Sequence, residues 1–213
     1  MTIIREFEEK CSVCGKSSPH PVLMSTNSMG YADLDLRPPE MQRSTMNTWI
    51  KECPHCGYVA SDLGDELKIS KDFLKSEEYS TCDGYDFKSK LSERFYKRYL
   101  IAKQSNDALG CFLGLRNCTW KCDDYSDENA IAIRKIALTY IDELMGQEGE
   151  DKDTLLLIKL DFLRRSGEFE QLISEYENVA IGDELMDKIA QFQIQKALEK
   201  DTDCYTVKDV VGQ

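Results

Sequence analysis

Cys53-Pro54-His55-Cys56-Gly57-Tyr58 repeats, in its spacing, the earlier stretch Cys11-Ser12-Val13-Cys14-Gly15-Lys16. Each is a C-x-x-C-G knuckle. Two residues between cysteines let one tight turn present both sulfurs, and a tetrahedral Zn²⁺ takes four such soft ligands at about 2.3 Å. A glycine after the second cysteine can adopt positive φ and let backbone N–H groups approach the thiolates. Pro54 pre-sets φ at the first residue inside the second turn. Residues 47–52, ahead of the second knuckle, have the composition of a strand, as a ribbon hairpin requires. The pattern predicts one structural zinc held by Cys11, Cys14, Cys53 and Cys56. Four cysteines close the coordination sphere and leave no position for water or substrate, so the site reads as structural and not catalytic.

Other cysteine chemistries fit less well. Disulfides need an oxidising compartment, and residues 1–10 lack the apolar stretch of a signal peptide. A thioredoxin-like motif needs a strand–helix junction of a βαβ unit, and no such unit is visible. His55 lies inside the second knuckle and His20 just beyond the first; both read as surface or supporting residues, ligands only if a cysteine were displaced.

Composition narrows the class. The chain has 213 residues, 41% hydrophobic and 31% charged, with nine cysteines and a net charge of −12. No apolar run reaches the eighteen or so residues of a membrane span, and the cysteines suit a reducing cytoplasm. Residues 1–60 carry six basic and seven acidic side chains, and the remainder 21 basic and 32 acidic. A field that negative repels phosphate backbones, which argues against nucleic-acid binding by the whole chain.

Three segments are expected: a zinc-ribbon module over 1–60, a polar connector over 61–87, and a helical domain over 88–213. Within the first, alternating Asp33, Leu34, Asp35 and Leu36 predict a strand ended by Pro38-Pro39, with Asp33, Asp35 and Arg37 on an exposed face. The connector holds a short helical piece near Asp72 to Lys75, and Tyr79, Tyr85 and Phe87 suggest that it packs against something.

From Lys88 the apolar period becomes helical. Leu91, Phe95, Tyr99 and Ala102 share one face, and Lys90, Arg94, Lys97, Arg98 and Lys103 form a basic stripe on the other, which could grip an acidic partner or nucleic acid but reads rather as a solvated face balancing acidic neighbours. Ser105-Asn106-Asp107 breaks the helix and caps the next, in which Cys111, Cys118 and Cys122 share a face and read as buried small hydrophobes. Asp123 to Asp127 is a turn and cap cluster without the alternating oxygen ligands of a calcium loop. A helix over about 128–145 buries Ala130, Ile133, Ala137, Ile141 and Leu144, and an acidic linker follows over 146–151. Helices over 155–165 and 168–177 form a hairpin turning at Ser166-Gly167. Leu156, Leu160, Leu163, Leu172, Tyr176 and Val179 follow the spacing of a degenerate tetratricopeptide repeat. Another helix over 183–200 and a short turn capped by Thr206 complete the chain. The fold class is therefore mainly α, a small N-terminal β zinc ribbon followed by tetratricopeptide-like stacked hairpins.

Tyr31 to Pro39, Trp49 to Tyr58, Trp120-Lys121-Cys122-Asp123-Asp124, Phe192-Gln193-Ile194 and Asp203 to Val210 together resemble an uncharacterised bacterial family, a domain of unknown function. Its members carry a two-knuckle zinc ribbon followed by tetratricopeptide-like helices. The resemblance implies an intracellular bacterial protein with zinc, and it supplies no activity.

For function, the first expectation is a protein–protein interaction scaffold. Stacked helix pairs leave an extended concave surface, and an acidic helical domain favours a basic protein or peptide partner. The alternative is nucleic-acid or transcription-linked binding through the ribbon, using Lys16, Arg37, Arg43 and Lys51. An enzyme is not expected. The sequence holds no G-x-S-x-G, H-E-x-x-H, P-loop or G-x-G-x-x-G motif, and two histidines cannot build a three-histidine zinc site.

Overall fold

The structure is a computed structural model that describes residues 1–149 and 151–212. It is mainly helical, with two short antiparallel hairpins near the N-terminus. The chain forms two compact units, Met1–Met29 with Glu40–Ala130, and Gly30–Pro39 with Ile131 onward. The boundaries expected at 60 and 87 both fall inside the first unit, and residues 30–39, expected within the ribbon, belong to the second.

In the first unit, β1 (Ile3–Lys10) pairs with β2 (Ser17–Ser25), with Phe7 opposite His20 and the first knuckle at the turn between them. Pro19 and Pro21 had masked β2, because proline donates nothing to a ladder. It is tolerated where its nitrogen points away from the neighbouring strand. The strand expected over 47–52 shrinks to β3 (Lys51–Glu52), paired with β4 (Val59–Ala60) across the second knuckle. Arg43–Thr48 is a 3₁₀ helix instead. The Thr45 hydroxyl donates to Gln42 O and the Thr48 hydroxyl to Thr45 O. Such local side-chain bonds hold a turn against an extended chain.

A 3₁₀ helix at Lys71–Lys75 and α1 (Glu77–Ser80) follow, capped by the hydroxyls of Ser70 and Ser76. Next come α2 (Lys90–Gln104), capped by Ser89, and α3 (Ala108–Asp124), capped by Asp107. These two helices approach closely. A Cβ placed on Gly114 would lie 2.9 Å from Tyr99 N and 3.1 Å from Phe95 O. Phe95, Tyr99 and Ala102 are buried, as are Cys111, Cys118 and Cys122, in keeping with their reading as small hydrophobes. Burial pushes the Cys118 thiol well above its ordinary pKa, which keeps it protonated.

The second unit takes in most of α4 (Asn129–Met145), α5 (Lys152–Arg165), α6 (Phe169–Tyr176), α7 (Glu184–Leu198) and α8 (Val207–Val211). Ile133, Ala137, Ile141 and Leu144 of α4 are buried at the expected period. Gly167, at φ +77, turns α5 into α6. Leu160 and Leu163 of α5, Leu172 of α6, and Ile189, Ala190 and Ile194 of α7 share one core with Leu34 and Val210. Asp151 and Asp183 cap α5 and α7 by accepting from backbone N–H groups. Thr206 and Asp209 form a capping box at α8. Of the acidic linker expected over 146–151, Glu150 lies outside the described residues.

The exposed strand expected at 33–36 is overturned. Asp33 makes one bridge to Thr206, and residues 34–35 turn. Leu34 N donates to Tyr205 O, and Val207 N donates to Ala32 O. Leu34 points into the core while Leu36, at φ +66, is exposed. Asp33, Asp35 and Arg37 are buried, at 2%, 0% and 5% exposure. Buried charge persists only where it is paired. Arg165 Nη1 reaches Asp35 Oδ2 at 3.4 Å, Arg164 donates to Asp161 and Gln193, and Gln193 donates to Asp161.

Candidate metal centre

Both knuckles fold by the same bonds. Gly15 N donates to Cys11 O at 2.8 Å and Cys11 N to Lys16 O at 2.9 Å. Gly57 N donates to Cys53 O at 2.9 Å and Cys53 N to Tyr58 O at 2.8 Å. Gly15 and Gly57 take φ of +72 and +74, the left-handed region where a side chain would be strained. Each knuckle therefore presents its two thiols from one turn, and the glycines are what permit that turn.

The four sulfurs meet. Cys11 Sγ lies 3.7 Å from Cys56 Sγ, and Cys14 Sγ 3.7 Å from Cys53 Sγ, so each close pair joins one knuckle to the other. All four sulfurs lie within 4.8 Å of one another and could hold a metal ion. A tetrahedron with metal–sulfur bonds of about 2.3 Å has edges of about 3.8 Å. The two 3.7 Å pairs match that edge and are far beyond the roughly 2.05 Å of a disulfide. The cysteines are free thiols.

Environment differs among the four. Cys11 and Cys53 are buried, Cys56 is half-buried and Cys14 is exposed. The backbone N–H of Lys16 lowers Cys14 to about 7, while burial raises Cys53 and Cys56. A divalent cation overrides that desolvation, because a coordinating thiol is deprotonated outright.

The segment read as a connector braces this centre. Ser12 N donates to Leu63 O, the Ser12 hydroxyl to Asp65 O, and Lys71 Nζ to Val13 O, so residues 63–71 hold the first knuckle. The buried Tyr79 of α1 donates its hydroxyl to Gly57 O at 2.6 Å and holds the second. Sequence reasoning noted Tyr79 as a packing residue but not as a support of the metal centre. Its only signal was an aromatic residue in a polar stretch.

The remaining candidates separate. His55 is exposed and His20 is buried, and neither joins the four-sulfur group. Burial lowers the pKa of His20, which corrects the reading of that residue as a surface side chain. The basic stripe on α2 balances acidic neighbours, as expected, although Lys97 is buried and not solvated. Lys97 meets Glu52 and Glu93, Arg94 meets Glu52, Arg98 meets Asp107, and Lys103 meets Glu78. Lys97 is only 8% exposed.

Two of the four residues considered for nucleic-acid contact are buried. Lys51 is buried in an ion pair with Glu9, and Arg37 is buried in the other unit. Among the described residues, no helix is long and apolar enough to cross a membrane. Comparison with protein-family models, with curated proteins and with solved structures finds no match, so the family resemblance rests on the residues quoted for it.

Proposed function

We propose that the chain is a zinc-ribbon protein of the cytoplasm that acts by binding, as a scaffold for a basic protein or peptide partner. The observation that carries the metal half is the tetrathiol geometry. Four sulfurs within 4.8 Å of one another, two pairs of them 3.7 Å apart, would fill a zinc sphere and leave no catalytic position. On this reading the ion would be held by Cys11, Cys14, Cys53 and Cys56 and would fix the two knuckles to each other. The reading involves no catalysis.

The binding half rests on the second unit. Helices α5, α6 and α7 pack in sequence over a shared leucine-rich core, the arrangement a tetratricopeptide-like stack uses. This unit carries 20 acidic and 11 basic side chains, a net −9 of the chain's −12. An open groove of about 740 Å³ runs along α7, lined by Phe192 and Val210, by Glu184, Asp187 and Glu199, and by Lys188 and Lys196, which pair with Glu184 and Glu199. Its apolar residues and the net negative charge of the unit suit a basic amphipathic segment.

The test is binding of partners captured at low salt, repeated with Glu184→Lys and Glu199→Lys together. Loss of the same partners in the variant and at raised salt supports the reading. Capture indifferent to both would end it.

A further inference from the structure

In the first unit, a second concave site lies beside the knuckles. A cavity of about 250 Å³ opens between β2, β3 and α2; Pro19, Pro21, Ile50 and Pro54 contribute to its wall, with His20, Lys51 and Arg94 and the carboxylate of Glu52. At about 30 Å³ per molecule, that volume has room for about eight waters, or for one small ligand. The prolines and Ile50 supply rigid apolar surface, and the polar groups converge from three elements.

Two of those polar groups have unused donor capacity. Arg94 donates through Nε to Glu52 at 3.2 Å, and its two terminal amino groups have no hydrogen-bond partner among the described residues. His20 is 7% exposed; its Nε2 shares a hydrogen bond with Ser18 Oγ at 2.9 Å, and its Nδ1 has no partner among the described residues. A nine-tenths-buried imidazole with one open nitrogen at a cavity is a polar group waiting for a complement.

Lys51, Arg94 and Lys97 pair with the carboxylates of Glu9 and Glu52, and Glu8 also acts on His20, so three cations face three carboxylates in a chain of net −12. Glu93, which also meets Lys97, is matched in turn by Lys90. An arginine fork with both terminal nitrogens open is shaped for bidentate contact with a carboxylate or a phosphate.

We propose that this pocket binds a small anion, a carboxylate or phosphate group seated on the Arg94 fork with Lys51 and His20 at its sides. The site includes none of the four thiols, although Glu52 and Pro54 beside Cys53 line it, and it shares no residue with the groove on α7. It can therefore stand or fall independently of the scaffold reading.

The chain has two imidazoles, and His55 is exposed in the second knuckle. That makes ring-nitrogen NMR a direct test. The zinc-loaded protein is titrated at constant pH with inorganic phosphate in one arm and malonate in another, against chloride at matched ionic strength. Saturable shifts confined to His20, weakened at least tenfold by Arg94→Gln, support the proposal, and the responsive arm names the group. Arg94→Lys keeps the pairing with Glu52 but loses the fork, and it is expected to weaken binding as well. It carries the test if Arg94→Gln loses metal. No saturable shift in either arm, or shifts that persist in both variants, would overturn it.

Discussion

The hydroxyl of Tyr79 donates a 2.6 Å hydrogen bond to the carbonyl of Gly57, the residue whose positive φ closes the second knuckle. A side chain 22 positions away thus fixes the turn that presents Cys53 and Cys56. Tyr79→Phe keeps the ring and removes only the donor. Leaving the carbonyl unsatisfied costs about 1–2 kcal/mol. The expected result is a lower thermal midpoint and faster zinc loss to a chelator, with unchanged stoichiometry. Identical chelation kinetics would show that the bond does not support the centre.

Asp35 and Arg165 form the buried counterpart in the second unit. Asp35 is fully buried and Arg165 nearly so, and residues 30–39 are held there by charge as well as by Leu34. Asp35→Ala leaves buried cations undercompensated and should cost about 3–5 kcal/mol. Urea unfolding measures this. A change below about 1 kcal/mol would place the stability of the segment in its apolar contacts instead.

Gly114 sets the approach of α3 to α2. Gly114→Ala gains helix propensity but drives a methyl to 2.9 Å from the backbone of Tyr99. Overpacking of this kind costs about 1–3 kcal/mol, more than the propensity gain of about 1 kcal/mol returns. The urea midpoint should fall. A raised midpoint would mean that the two helices are free to part.

His20 gives a pH dependence with a definite sign. Burial lowers its folded-state pKa below the unfolded value of about 6.5. Between those two values the unfolded chain binds the proton and the folded chain does not, so stability rises with pH across the window. The contribution is complete above about 6.5 and is lost as pH falls toward the folded pKa. His20→Gln should remove that part of the acid sensitivity, read as denaturation midpoints at pH 7 and pH 5.5. An unchanged slope would contradict the assignment to His20.

Much of this was legible in the sequence where the signal is local. The two C-x-x-C-G knuckles foretold four convergent sulfurs, because a knuckle is set by its own turn and glycine. The caps at Asp107 and Thr206, and the periodic faces of Phe95 to Ala102 and of Ala130 to Leu144, were readable for the same reason. What failed was non-local. Asp33-Leu34-Asp35-Leu36 alternates like a surface strand, yet its charges are inside, because Arg165 stands 130 residues away from Asp35. Residues 17–25 hid a strand behind Pro19 and Pro21. Lys97 was expected to balance acidic neighbours on a solvated face, and it does meet Glu52 and Glu93, but it is buried.

The central claim is that Cys11, Cys14, Cys53 and Cys56 hold one zinc between two knuckles, and metal analysis of the purified chain tests it most directly. Elemental analysis by mass spectrometry, with native mass for stoichiometry, should find one zinc per chain. Cys53→Ser should lose it and unfold the knuckle hairpins, while most helical circular dichroism survives. A metal-free protein that is fully folded, or a Cys53→Ser variant that retains zinc at one per chain, would contradict the account.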